Sequence, residues 1–207
     1  MRPQVSLWLE GSHHPFDEIA EWFCNFLSAE GMEACRVCLD EALDGESDLV
    51  VLGGLVYSET IGYRQPAGLT ERLEALRRRI PMLALHSVLG SWDDVPELDE
   101  FWDGRWNWEN SRHSPIEPFQ VKSCGGHSIT DSLADFKTTD ELYYNLRPPK
   151  TSRVLLEAEY WGVLWPLAWT AGNYVYCGLG HDVAALDHAP VRQFLLRTVH
   201  HLTAQKP

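Results

Sequence analysis

The amino-terminal half of the chain alternates between two hydrophobic periods, and that alternation leaves few folds open. VSLWLEG (5–11) is a short apolar run of strand length. Phe16, Ile19, Ala20, Phe23, Phe26 and Leu27 then recur at helical spacing, with Pro15 at the entrance, where a missing N–H costs nothing. MEACRVCL (32–39) and DLVVLGG (48–54) read as a second and a third strand. Leu69, Leu73, Leu76 and Ile80 mark another helix, with Thr70 near its start and Pro81 stopping it, and MLALH (82–86) is a fourth strand. Strands apolar on both faces belong in a parallel sheet covered by helices on two sides. The β-α-β-β-α-β order predicts an α/β fold with a doubly wound, mostly parallel central sheet and right-handed crossovers.

The remainder of the chain fits one such domain spanning residues 1–207. From about Gly90 to Lys150 the pattern is irregular and rich in Trp, Pro, Gly and acids. Short helices and insertions over the carboxyl edge of the sheet are expected there. SRVLLEAEY (152–160), LWPLAW (164–169) and NYVYCGLG (173–180) are three further strand-like runs. Pro190 opens a final helix whose Val191, Phe194, Leu195, Thr198, Val199 and Leu202 share one face.

Charge and cysteine usage exclude several classes of partner. The 30 acidic residues against 17 basic ones give a net charge of −13, a poor footprint for nucleic acid or an anionic membrane. The start, MRPQVSLWLEG, has neither the apolar length nor the cleavage site of a signal peptide, and no apolar run approaches membrane-spanning length. A cytoplasmic location is the expectation. Five cysteines, without secretory context, argue against a disulfide framework. Cys35 and Cys38 spell C-x-x-C, but on a strand their side chains point to opposite faces, so they are expected to be buried structural thiols, reduced and metal-free.

In a doubly wound sheet, chemistry sits where strands end. The fourth strand ends on His86-Ser87, the placement of a nucleophile elbow. The flanking glycines of a serine-hydrolase elbow are missing, so Ser87 is a weak nucleophile candidate and His86 the better functional one. A packed strand-end histidine is the plain alternative. Asp140 and Glu141 lie just before Tyr143 and suit a metal, proton transfer or sugar hydroxyls, or else the N-terminus of a helix. The glycines of GLGHD (178–182) let the backbone deliver His181 and Asp182 to the same edge, with His188 able to follow. Trp92, Trp102, Trp106 and Trp108 crowd the irregular stretch. Indole faces pack against pyranose rings, and they equally suit a subunit interface, which leaves a homo-oligomer open.

Together these motifs resemble a known family. LHS (85–87), H-x-I-T-x-x-L-x-D-F (127–136) leading into DELY (140–143), PLAW (166–169) and YVYCGLGHD (174–182) are similar, in order and over nearly the whole chain, to the trehalose-utilisation, ThuA-like proteins. The resemblance implies a flavodoxin-like, three-layer α/β/α sandwich of the class I glutamine amidotransferase-like type. It also implies a role in carbohydrate metabolism in bacteria, alongside a sugar oxidoreductase. Two features depart from the family: Ser128 stands where a proline usually follows the histidine, and DEFWDGRWNW (99–108) has no counterpart. Glutamine hydrolysis needs a thiolate at the elbow, and His86 occupies that place, so amidotransferase activity is not expected.

The expectation is therefore an enzyme acting on trehalose or a keto-sugar, of hydrolase or isomerase type. His86, Glu141 and His181 are its candidate proton carriers, and Asp182 orients His181. Trp92, Asp140, Tyr143 and His188 are candidate binding residues. A divalent metal such as zinc and a metal-free acid/base pair both remain open. A non-catalytic sugar-binding or partner module is the rival reading.

Overall fold

The computed structural model describes residues 2–147 and 149–205. The apolar runs of the first half become strands β1 (Gln4–Trp8), β2 (Glu33–Arg36), β3 (Leu49–Leu52) and β4 (Met82–Leu85). Helices α1 (Phe16–Ala29), α2 (Leu39–Asp44) and α3 (Leu69–Arg79) separate them. After a 3₁₀ turn at His86–Gly90 come α4 (Leu98–Phe101) and four strands: β5 (Arg112–His113), β6 (Glu117–Ser123), β7 (Phe136–Asp140) and β8 (Tyr143–Tyr144). The chain finishes with β9 (Arg153–Tyr160), β10 (Val163–Ala171), β11 (Tyr174–Cys177), α5 (Val183–Leu186) and α6 (Ala189–Ala204).

Among the described residues, nine strands form one sheet in the order β2-β1-β3-β4-β11-β10-β9-β6-β7. The first five are parallel, in the 2-1-3-4-5 order of flavodoxin-like sheets. The last four continue it antiparallel. Period 2 sorts the strand residues into two cores. Leu49, Val51, Leu83 and Leu85 pack with the α1 and α6 side chains, and Val50, Leu52, Met82 and Ala84 with those of α3 and α4. Burying each such Leu, Val or Met side chain contributes roughly 1.5–3 kcal/mol, so both helical layers are firmly held to the sheet.

Two expectations change. The second strand stops at Arg36, because Glu41 reaches back to the Cys38 backbone N–H (3.2 Å) and starts α2. Cys38 thus lies beyond the strand, and both Cys35 and Cys38 are exposed free thiols. The middle of the chain is also more regular than its composition indicates. In β6 and β7 every second residue is buried (Phe119 and Val121; Phe136, Thr138 and Asp140), and the two strands extend the main sheet. Threonine and aspartate at inward positions of FKTTD hid that alternation.

Among the described residues, no helix is long and apolar enough to cross a membrane.

Candidate active site

Four strand ends converge on one point. His86 follows β4 directly and takes φ +38, a left-handed conformation rare for a side chain of this size. Its backbone carbonyl accepts the Tyr176 hydroxyl (3.1 Å), and its Nδ1 lies 2.8 Å from the Gly178 carbonyl oxygen. Both partners come from β11 and the turn after it, so the parallel pairing of β4 with β11 fixes the ring. Its Nε2 is buried without a hydrogen-bond partner among the described residues and faces Glu141 Oε2 at 3.4 Å.

Glu141 comes from the far edge of the sheet. The β7 position is five places from β4 in the strand order. Twist of about 20–25° per strand accumulates to more than about 100° over that span. The register shifts between β9 and β10 add to this, and Glu141, just past the end of β7, meets His86 just past the end of β4. DELY is therefore a strand end, not a helix start. Glu141 Oε2 stands 3.3 Å from His181 Nδ1, and its Oε1 stands 2.8 Å from His113 Nδ1.

Asp140, 1% exposed, joins the two most specific sequence motifs. It accepts the backbone N–H groups of Glu141 (2.8 Å), His181 (3.2 Å) and Gly180 (2.7 Å). Burial raises its pKa, and nearby His86 together with these bonds opposes the rise. Gly180, at φ +109, makes the turn that presents His181. A Cβ there would meet Leu186 Cδ2 at 2.7 Å, so only glycine fits.

His14, from the loop after β1, completes the cluster. Its ring centroid lies 5.2 Å from that of His86 and 4.7 Å from that of His181. One ligand atom from each of His14, His86, Glu141 and His181 can be chosen so that all four lie within 4.8 Å of one another. Burial and then the neighbouring imidazoles push the His14 pKa down to about 3. Burial works to raise the Glu141 pKa, but His181 and His86 hold it well below the ordinary carboxylate range. The Glu141 carboxylate in turn raises that of His181. Glu141 and His181 thus favour each other's charged forms, while His14 is held neutral beside them.

Above it opens a cavity of about 480 Å³, of a size that takes small organic ligands. Tyr57, Trp106, Trp108 and Tyr143 form its aromatic wall. The Tyr143 ring lies 4.3 Å from that of His86 and 4.8 Å from that of Trp106. An aromatic wall over a group that can take or give a proton suits a ligand with C–H faces and hydroxyl or carbonyl groups.

Several expected residues lie elsewhere. Trp92 is fully buried, stacked on Trp8 at 5.0 Å, and borders the neighbouring cavity around Tyr63. Asp182 does not orient His181, because it caps α5 by accepting the Ala185 N–H (2.8 Å). His188 sits at the start of α6 against Phe136 and borders a separate cleft with Lys137. His127 packs against His201 on the outer surface. Ser87 does line the cavity, and its hydroxyl donates to the Gly53 carbonyl (2.7 Å). Among the described residues, no cysteine lines the cavity. Sequence reasoning missed His14 and His113. Two adjacent histidines in SHHPF, just past β1 and before a helix-opening proline, carried the same strand-end signal as His86.

Comparison with known structures agrees with this architecture. A ThuA-like protein from Parabacteroides merdae superposes with a TM-score of 0.80 at 17% identity, over 100% of this chain and 91% of that one. A second, from Bacteroides uniformis, gives 0.73 at 15% identity, over 97% and 91%. A GMP synthase subunit from Thermoplasma acidophilum gives 0.58 at 13% identity, over 100% and 99%. At these identities the likeness is one of fold, and that fold is glutamine amidotransferase-like. No curated protein matches the chain. The family model described as ThuA, trehalose utilisation, matches residues 4–202. The chain therefore belongs to the ThuA trehalose-utilisation family.

Proposed function

We infer that this protein is a cytoplasmic enzyme of carbohydrate metabolism that binds a sugar or keto-sugar in the aromatic-walled cavity. There it polarises a hydroxyl or carbonyl of the ligand with the His86–Glu141–His181 cluster. One observation carries the reading: buried imidazoles and an ionised carboxylate meet at the floor of a cavity whose walls are indole and phenol rings. Burying such groups costs several kcal/mol unless they are paired, and a polar ligand at this point supplies partners. The aromatic faces cover the C–H faces of a pyranose while the floor meets its oxygens. Membership of a trehalose-utilisation family supports the substrate class, and a keto-sugar is the kind of product that a sugar oxidoreductase makes.

The test is incubation with trehalose and with its 3-keto form, following binding by calorimetry and product by mass spectrometry. Conversion of either, lost in Glu141→Gln, is expected. Binding without any product would make the protein a sugar-binding module, and neither binding nor conversion would remove the sugar reading.

A further inference from the structure

We propose that His14, His86, His181 and Glu141 form a binding site for one divalent transition-metal ion, of the zinc, manganese or iron class. The donor atoms are His14 Nε2, His86 Nε2, His181 Nδ1 and Glu141 Oε2. The three nitrogens are buried, and among the described residues no hydrogen bond satisfies any of them. Two of the tautomers are set from behind. His86 Nδ1–H donates to the Gly178 carbonyl (2.8 Å) and His14 Nδ1–H to the Ser12 carbonyl (3.2 Å), leaving both Nε2 lone pairs facing inward. Such outer hydrogen bonds are the usual support of metal-ligating histidines. Glu141 is steadied likewise, its second oxygen lying 2.8 Å from His113 Nδ1.

The spacing agrees. Ligands about 2.0–2.1 Å from a tetrahedral ion stand roughly 3.3 Å apart. Glu141 Oε2 lies 3.4 Å from His86 Nε2 and 3.3 Å from His181 Nδ1. The remaining ligand-atom pairs lie within 4.8 Å of one another, near enough for one ion to draw all four donors together. Three imidazoles and one carboxylate form the mixed N/O donor set that suits these metals. The cavity lies directly over the cluster, so a ligand oxygen can reach the ion. What the ion does for a substrate rests on the sugar reading: it would hold and polarise a hydroxyl or carbonyl oxygen. Binding of the ion itself does not depend on any sugar.

The full chain, stripped with a chelator, is dialysed against zinc, manganese or cobalt(II) chloride without sugar. Metal content is read by mass spectrometry and cobalt coordination by visible absorption. One equivalent per chain is expected, with affinity falling at least about 100-fold in His14→Gln and in Glu141→Gln. The His127→Gln/His201→Gln protein, altered at the outer histidine pair, should bind as the wild type does. Circular dichroism checks that each variant is folded, and the cobalt spectrum of the wild type stands even if a variant is not. Absence of stoichiometric binding in the wild type, or equal binding by folded His14→Gln and Glu141→Gln, would overturn the proposal. A protein that binds one ion but no sugar loses only the sugar reading, and one that converts sugar without any ion loses only the metal.

Discussion

His86 Nδ1 and the Gly178 carbonyl oxygen, 2.8 Å apart, tie the ends of two adjacent parallel strands together through a buried side chain of the histidine–glutamate cluster. The imidazole is therefore both a site residue and a packed one. His86→Ala should lose ligand binding and also about 2–4 kcal/mol of stability, because it leaves a cavity and an unsatisfied buried carbonyl. Urea denaturation reads the second effect; a change below about 1 kcal/mol would show that the ring is not packed as described.

Asp140 serves three backbone N–H groups at once. Asp140→Ala strands all three in a buried setting and should cost about 3–5 kcal/mol, at roughly 1–3 kcal/mol for each unsatisfied group before relaxation. Asp140→Asn keeps one acceptor oxygen and should fall between the wild type and the alanine variant. Thermal unfolding of the three proteins orders them, and an Asn variant worse than Ala would contradict the assigned bonds.

Asp103 ties the tryptophan-rich segment to the start of β9. Its carboxylate accepts N–H groups from Lys150 (3.0 Å), Thr151 (2.8 Å) and Ser152. Burial acts to raise its pKa, but these bonds hold it well below the ordinary carboxylate range. A depressed carboxyl stabilises the fold fully above its unfolded pKa, and the contribution fades as pH falls from there through the folded value. Asp103→Ala should thus be destabilised at pH 7, with the gap to wild type closing below about pH 4. Denaturation curves across that window check it; a gap independent of pH would mean the charge is not involved.

Trp108, 44% exposed on the cavity rim, packs against Tyr57 with ring centroids 4.6 Å apart. If the ligand is a sugar stacked on this wall, Trp108→Ala should weaken its binding about 2–10-fold with little change in stability, from about 0.5–1.5 kcal/mol of aromatic contact. Calorimetry with the sugar that binds best measures this, and unchanged affinity would move the ligand off the rim.

Thiol accessibility gives a further check on the fold. Cys35 and Cys38 are exposed, whereas Cys177 is buried and its pKa is pushed up to about 12 by burial. A thiol reagent on the folded protein should label Cys35 and Cys38 fastest and Cys177 only on unfolding. Early labelling of Cys177 would contradict its place in the central strand β11.

What the sequence by itself determined was the periodic part of the molecule. Val50 and Val51 point to opposite helical layers because strand period is 2, and Phe23 and Phe26 share a face with Ile19 because helical period is 3.6. From those periods follow the parallel sheet, its carboxyl edge and the placement of His86 and His181 on it. Tertiary structure alone decided the rest. That Glu141 of an edge strand reaches His86 depends on twist summed over five strand steps, a quantity no local pattern encodes. Trp92 and Asp182 sit beside functional-looking neighbours in sequence, yet one turns inward onto Trp8 and the other caps α5. His14 is brought into the cluster although it lies far from DELY and LGHD in the chain. Local periods fix which elements form and which faces they bury, while long-range sheet curvature and loop packing fix which side chains meet.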